Sequence, residues 1–79
     1  MESQVKAVMA KVFGIDENTI NENASPDNIK KWDSLSHMNL VIALEKKFGI
    51  EFDDEQIIYM MNYKLIIQVL SEILDKKTK

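Results

Sequence analysis

Gly14, Pro26 and Gly49 are the only glycines and proline in 79 residues, and they divide a chain otherwise free of helix breakers. So few breakers among so many straight-chain residues favour helix over strand. Val5, Val8, Met9 and Val12 fall at i, i+3, i+4 and i+7, so the spacing predicts a helix over 4–13 with one apolar stripe. Ser3 is a candidate N-cap, and Gly14 suits the left-handed position after a helix end. The clearest helix is 34–48, which opens after Asp33 as N-cap and closes at Gly49. At 100° per residue, Leu35, Met38, Leu40, Val41, Ile42, Leu44 and Phe48 share a wide apolar arc. Ser36, Asn39, Ala43, Lys46 and Lys47 take the opposite side. An arc so wide implies burial against several neighbours, or an apolar margin left for a partner.

Asp53, Asp54 and Glu55 crowd the start of a shorter helix at about 54–60, where acids complement the positive end of the helix dipole. Asn62 then caps a last helix over roughly 63–76, with a core stripe of Leu65, Ile66, Val69, Leu70, Ile73 and Leu74. Residues 15–33 show no sustained period, and loops of that length are often functional. Ser25 and Pro26 suit the cap and first position of a short helical turn. Ile15, Ile20, Ile29 and Trp32 are expected to pin the loop to the core. The expected fold is therefore all-α, a four-helix bundle of three major helices and one short one, with a long first loop.

Composition narrows the function. A chain of this size buries only about 60% of its unfolded surface. Its 46% apolar residues build one core, in one domain over 1–79, and leave little for a cofactor cleft of enzymatic depth. No cysteine is present and His37 is the sole histidine, so neither a disulfide framework nor a Cys/His metal site is expected. Seven lysines against thirteen acids give residues 1–75 a charge of −6, offset by the basic tail 76–79. There is no arginine, and the 34–48 helix offers only Lys46 and Lys47 at its far end. A helix-turn-helix DNA binder is disfavoured accordingly. No apolar run reaches the ~18 residues of a membrane span, and the first residues do not read as a signal peptide. A soluble, cytoplasmic, monomeric protein without nucleic-acid or membrane partners is expected.

The chemistry concentrates at Asp33-Ser34-Leu35. With Asp33 as N-cap, Ser34 is the first helical residue and its hydroxyl points outward beside the positive helix end. A phosphate ester there would sit at a natural anion site, although serines at helix starts are common without one. Trp32-Asp33-Ser34-Leu35, followed by Met38, Leu40, Ala43-Leu44-Glu45, Phe48 and Ile50, resembles the attachment motif of acyl carrier proteins. The order of elements is similar too, so the resemblance covers essentially the whole chain.

That resemblance implies a stand-alone carrier with no catalysis of its own. A phosphopantetheinyl transferase, using coenzyme A and magnesium, would attach 4′-phosphopantetheine to Ser34, flanked by Asp33 and Leu35. The thiol of the arm would hold an acyl or related group as a thioester while loading, modifying and transferring enzymes act on it. Partners of such carriers read the motif helix, which here presents Ser36, Met38, Asn39, Ile42 and Lys46. In fatty-acid carriers that helix is markedly acidic. Here Ser36 and Asn39 stand where acids are common, and Lys46-Lys47 follow Glu45. Charge complementarity sets partner choice, so the departure points to a specialised pathway of polyketide, peptide, lipid or polysaccharide modification, with fatty acid synthesis as the alternative. A merely solvated face explains the same residues. An unmodified helical interaction module is the competing function.

Other residues have plainer readings. A Ser34–His37 hydrolase would need an orienting acid and an oxyanion site, and His37 instead fits the edge of the helix or the exit of the arm. Met9, Met38, Met60 and Met61, with Ile57 and Ile58, form either ordinary core or a deformable acyl cavity. Asp16-Glu17-Asn18 and Asp53-Asp54-Glu55 read as helix capping rather than calcium ligands. Asn23-Ala24-Ser25 matches a glycosylation pattern, but the first residues do not read as a secretion signal, so no glycan is expected there. Lys30-Lys31 is either a contact for the transferase or phosphate, or a solvated pair.

Overall fold

A computed structural model describes residues 1–77, without the side chain of Lys77. Its elements are α1 (Glu2–Phe13), a single 3₁₀ turn over Glu17–Thr19, α2 (Ser34–Phe48), α3 (Asp54–Tyr59) and α4 (Tyr63–Lys77). The described residues contain no strand. The all-α bundle with a long loop before α2 is thus the architecture found. Lys76 and Lys77 lie in α4, and the rest of the expected basic tail lies outside the described residues.

The local signals act where the residue types demand. Gly14 and Gly49 end α1 and α2 at φ 66° and 64°, the left-handed conformation that glycine adopts without a Cβ clash. Asp53 forms a capping box with Gln56: its Oδ1 accepts the Gln56 N–H at 2.7 Å, and Gln56 Oε1 accepts the Asp53 N–H at 2.9 Å. Asn62 Oδ1 accepts the Leu65 N–H at 2.9 Å and starts α4. Asp16 caps the 3₁₀ turn by accepting the Asn18 N–H at 2.9 Å. Ser25 opens a helical turn whose carbonyl takes the Asn28 and Ile29 N–H groups. Ser3 is not a cap. The Val5 N–H already bonds to the Met1 carbonyl, so α1 begins at Glu2 and Ser3 lies inside its first turn.

α1 packs along α2. Val5, Met9 and Phe13 of α1 meet Leu40, Val41 and Leu44 of α2 and Tyr63, Ile66, Val69 and Leu70 of α4 in one core. The loop supplies Ile20, Ala24, Ile29 and Trp32, and the α2–α3 connection supplies Ile50 and Phe52. Ile15 only flanks this core, as do Val8, Val12, Ile73 and Leu74, while Leu65 is half-buried. Each helix therefore buries a narrower stripe than its apolar residues alone would allow. Leu35, Met38 and Ile42 of the expected α2 arc are exposed, and Ala43 of the opposite side is half-buried.

The long loop is held by its own polar groups. Asn28 Oδ1 accepts the Ser25 N–H at 3.0 Å, and its Nδ2 donates to the Asn23 carbonyl at 2.8 Å. Glu45, the acid of the Leu-Glu pair in α2, accepts the Phe52 N–H through Oε2 at 2.9 Å. That bond fixes the path of the chain from α2 into α3.

Candidate functional site

Ser34 is exposed at the first position of α2. Asp33, in extended conformation just before it, accepts the Ser36 N–H through Oδ1 at 2.8 Å. Hydrogen bonds from the backbone and hydroxyl of Ser36 hold the Asp33 carboxyl below its ordinary value of 3.8, outweighing a slight desolvation. Asp33 thus stays ionised and fixes the turn that presents Ser34. The positive end of the α2 dipole lies under the hydroxyl and suits an anion esterified to it.

Beside Ser34 lies an open cleft of about 470 Å³, lined mostly by apolar surface. Trp32, His37, Met38, Ile57, Ile58 and Met61 contribute to it, together with Asp33 and Ser34 themselves. His37 is one of its lining residues and is half-buried. Trp32 Nε1 lies 3.0 Å from its Nδ1, and its Nε2 lies 2.9 Å from the Ile57 carbonyl. Both ring nitrogens are thereby occupied, so the imidazole is not poised to take a proton from Ser34. The methionines expected around an acyl cavity divide into two sets. Met38 and Met61 line the cleft, whereas Met9 and Met60 are fully buried in the core.

The outer rim is markedly apolar. Leu35, Ile58 and Met61 are 72%, 71% and 60% exposed, and Met38 and Ile42 are exposed too. Of the other α2 residues expected to meet partners, Asn39 and Lys46 are exposed and Ser36 is half-buried within the Asp33 cap. Sequence reasoning missed the exposed Tyr59, whereas Ile58, expected in the core or a cavity, lines the cleft and its rim. Their signal was an apolar pair in a six-residue helix too short to bury all its faces. Lys30 and Lys31 line a different depression, with Ile15, Thr19 and Asn21. Lys31 Nζ lies only 3.5 Å from where a Cβ on Gly14 would stand, at the C-terminal end of α1.

A covalent phosphopantetheine needs an accessible hydroxyl, a setting that tolerates its phosphate, and room for the arm. The start of α2 meets all three requirements with Ser34, the helix end and the apolar cleft. Among the described residues, no cluster of three or more His, Cys, Asp or Glu is placed to hold a metal ion. No helix in that range is long and apolar enough to cross a membrane.

Comparison with known proteins agrees with this geometry. Residues 3–64 match the family described as "Phosphopantetheine attachment site". An acyl carrier protein homolog of Mycoplasma genitalium is 38% identical over 65 residues, which cover 82% of this chain and 74% of the relative. The solution structure of a holo acyl carrier protein from Geobacter metallireducens superposes with a TM-score of 0.87 at 27% identity. That superposition covers 98% of this chain and 88% of the other. The chain belongs to the acyl carrier protein family, whose members bear a covalent 4′-phosphopantetheine and carry acyl groups on it, and it is a carrier rather than an enzyme.

Proposed function

We propose that Ser34 is the residue that receives the 4′-phosphopantetheine and that this chain serves, as a stand-alone carrier, a specialised biosynthetic pathway. In the loading step the Ser34 oxygen forms the new bond to phosphorus and its proton leaves. The pyrophosphate linkage of coenzyme A breaks and releases adenosine 3′,5′-bisphosphate. A phosphopantetheinyl transferase supplies the catalysis and the magnesium. When bound, the cofactor supplies a thiol that holds cargo as a thioester. The chain supplies position: Asp33 fixes the turn, the α2 dipole favours the phosphodiester anion, and Leu35 stands beside it on the rim.

The observation that carries this reading is the exposed Ser34 hydroxyl at the tip of α2, on the edge of an apolar cleft. The partner face is α2 from Ser36 to Lys46, where Met38 and Ile42 offer apolar contact and Asn39 and Lys46 offer polarity. A face that carries lysine where fatty-acid carriers carry acids suits enzymes less basic than those of general fatty acid synthesis. Polyketide, peptide, lipid or polysaccharide modification fits that face. The acidic body suits a monomer working among soluble enzymes of the cytoplasm.

The deciding experiment is intact mass after incubation with a broad-specificity phosphopantetheinyl transferase, coenzyme A and magnesium, alongside Ser34→Ala. One added phosphopantetheine in the parent and none in the variant is expected. A folded parent that takes up none, with several transferases, would leave the exposed apolar rim as the feature to explain and favour an unmodified interaction module.

A further inference from the structure

Of the four helices, α3 alone buries no residue fully. It has six residues, and an isolated helix so short does not hold in water. Among its apolar side chains Ile57 flanks the core, while Ile58 and Tyr59 are exposed. The Asp53–Gln56 capping box closes its first end. The last end is not closed from within. The Met60 N–H reaches the Gln56 carbonyl at 3.0 Å, but the Met61 N–H turns to the Tyr59 carbonyl at 2.8 Å. The Ile57 carbonyl, which Met61 would take in a longer helix, is left over.

His37 takes that carbonyl from α2. An indole N–H only donates, so Nδ1 accepts from Trp32 Nε1 at 3.0 Å. The ring proton therefore sits on Nε2 and is donated to Ile57 at 2.9 Å. Trp32 is 4% exposed and packs against Phe13, with ring centroids 5.2 Å apart. A core residue thus aims the imidazole at the end of α3. The backbone of His37 has a second task, because its N–H bonds to the Asp33 carbonyl at 2.8 Å and closes the turn that presents Ser34. One residue in the first turn of α2 therefore bridges the Ser34 turn and α3.

The two places meet at the cleft. Ile57 and Ile58 of α3, and Met61 just beyond it, line the same cleft as Ser34. Ile58 and Met61 are also the exposed rim on that side. We propose that His37 is a positioning residue for the loading of Ser34: by capping α3 from α2 it holds Ile58 and Met61 in one fixed relation to the Ser34 hydroxyl, so that a phosphopantetheinyl transferase meets both helices as one surface. Exposed apolar rims of this kind serve as docking surfaces. A rim that is in place only part of the time weakens apparent binding by that fraction. The inference rests on attachment of the arm at Ser34.

The test compares the parent with His37→Phe, which keeps a ring beside Trp32 and removes both bonds, and with His37→Gln, which keeps an amide donor for Ile57 and an oxygen for the indole. Two quantities are measured: amide hydrogen exchange along the chain, and the kinetics of loading by a phosphopantetheinyl transferase with coenzyme A and magnesium. In His37→Phe the amides of Ile57 to Met60 should exchange about tenfold faster, while those of Val69 and Leu70 in α4 keep the rate of the parent. The KM for the carrier should rise about threefold or more with kcat unchanged. His37→Gln should bring both quantities back to within about twofold of the parent. If His37→Phe does not fold, His37→Leu removes the same two bonds and takes its place. The proposal is overturned by a folded variant with the KM or the α3 exchange of the parent, or by a fall in kcat at unchanged KM. Exchange that quickens equally in α4, or a His37→Gln no nearer the parent than His37→Phe, overturns it too. A parent that takes up no arm overturns attachment at Ser34 instead, and the exchange rates alone then decide whether His37 caps α3.

Discussion

Asp33 holds the turn that presents Ser34, and its contribution depends on charge. Its carboxyl is held below 3.8 in the folded chain by the Ser36 bonds. A depressed carboxyl stabilises the fold above the unfolded value, and the contribution is lost as pH falls through the folded one. Asparagine caps a helix about as well as aspartate but carries no charge. Asp33→Asn should therefore melt below the parent near neutrality, and the two curves should converge in acid; thermal midpoints against pH would show it. Ser34, Asp33 and Leu35 could be read from the sequence because their spacing fixes them at a helix start. The bridge of His37 could not, because its partner Ile57 is twenty residues away and is a backbone carbonyl, which carries no residue-specific signal.

The helices were legible because each is punctuated by residues with a single local job. Gly49 at φ 64° is one of them. Gly49→Ala should cost about 1–2 kcal/mol, since a Cβ is strained in the left-handed region; a lower denaturant midpoint with an unchanged slope is the expected reading. The sequence reading started α1 too late because the Met1 carbonyl, not a side chain, receives its first bond. It made the α2 arc too wide because helical periodicity gives the angular spread of apolar residues but not how much of it a neighbour covers. A short α3 leaves Leu35, Met38 and Ile42 uncovered. The exposed rim is a property of two elements together, and neither alone predicts it.

Across the whole molecule, Tyr63 draws three regions to one point. Its hydroxyl donates to Glu2 at 3.1 Å, Lys6 stands 5.7 Å from the ring centroid, and its N–H reaches the Ala24 carbonyl at 2.9 Å. Burial, then the bond and charge of Glu2, push its phenol up to about 12. The stability tied to that phenol is full below pH 10 and fades as pH rises towards 12. Tyr63→Phe should cost about 0.5–1.5 kcal/mol at neutral pH, measured by chemical denaturation. Such a link joins residues 61 positions apart, and no periodicity could reveal it. The Ala24 bond has a further consequence, in time rather than energy. The leading amide of a helix has no partner within it and ordinarily trades its hydrogen with water at once. In α4 that amide is Tyr63, and its partner belongs to the loop. Its exchange should therefore be slow, at the pace at which the loop lifts away, while the neighbouring Lys64 amide exchanges fast. A single deuterium-labelled position would then act as a clock for the segment leading into Ser34.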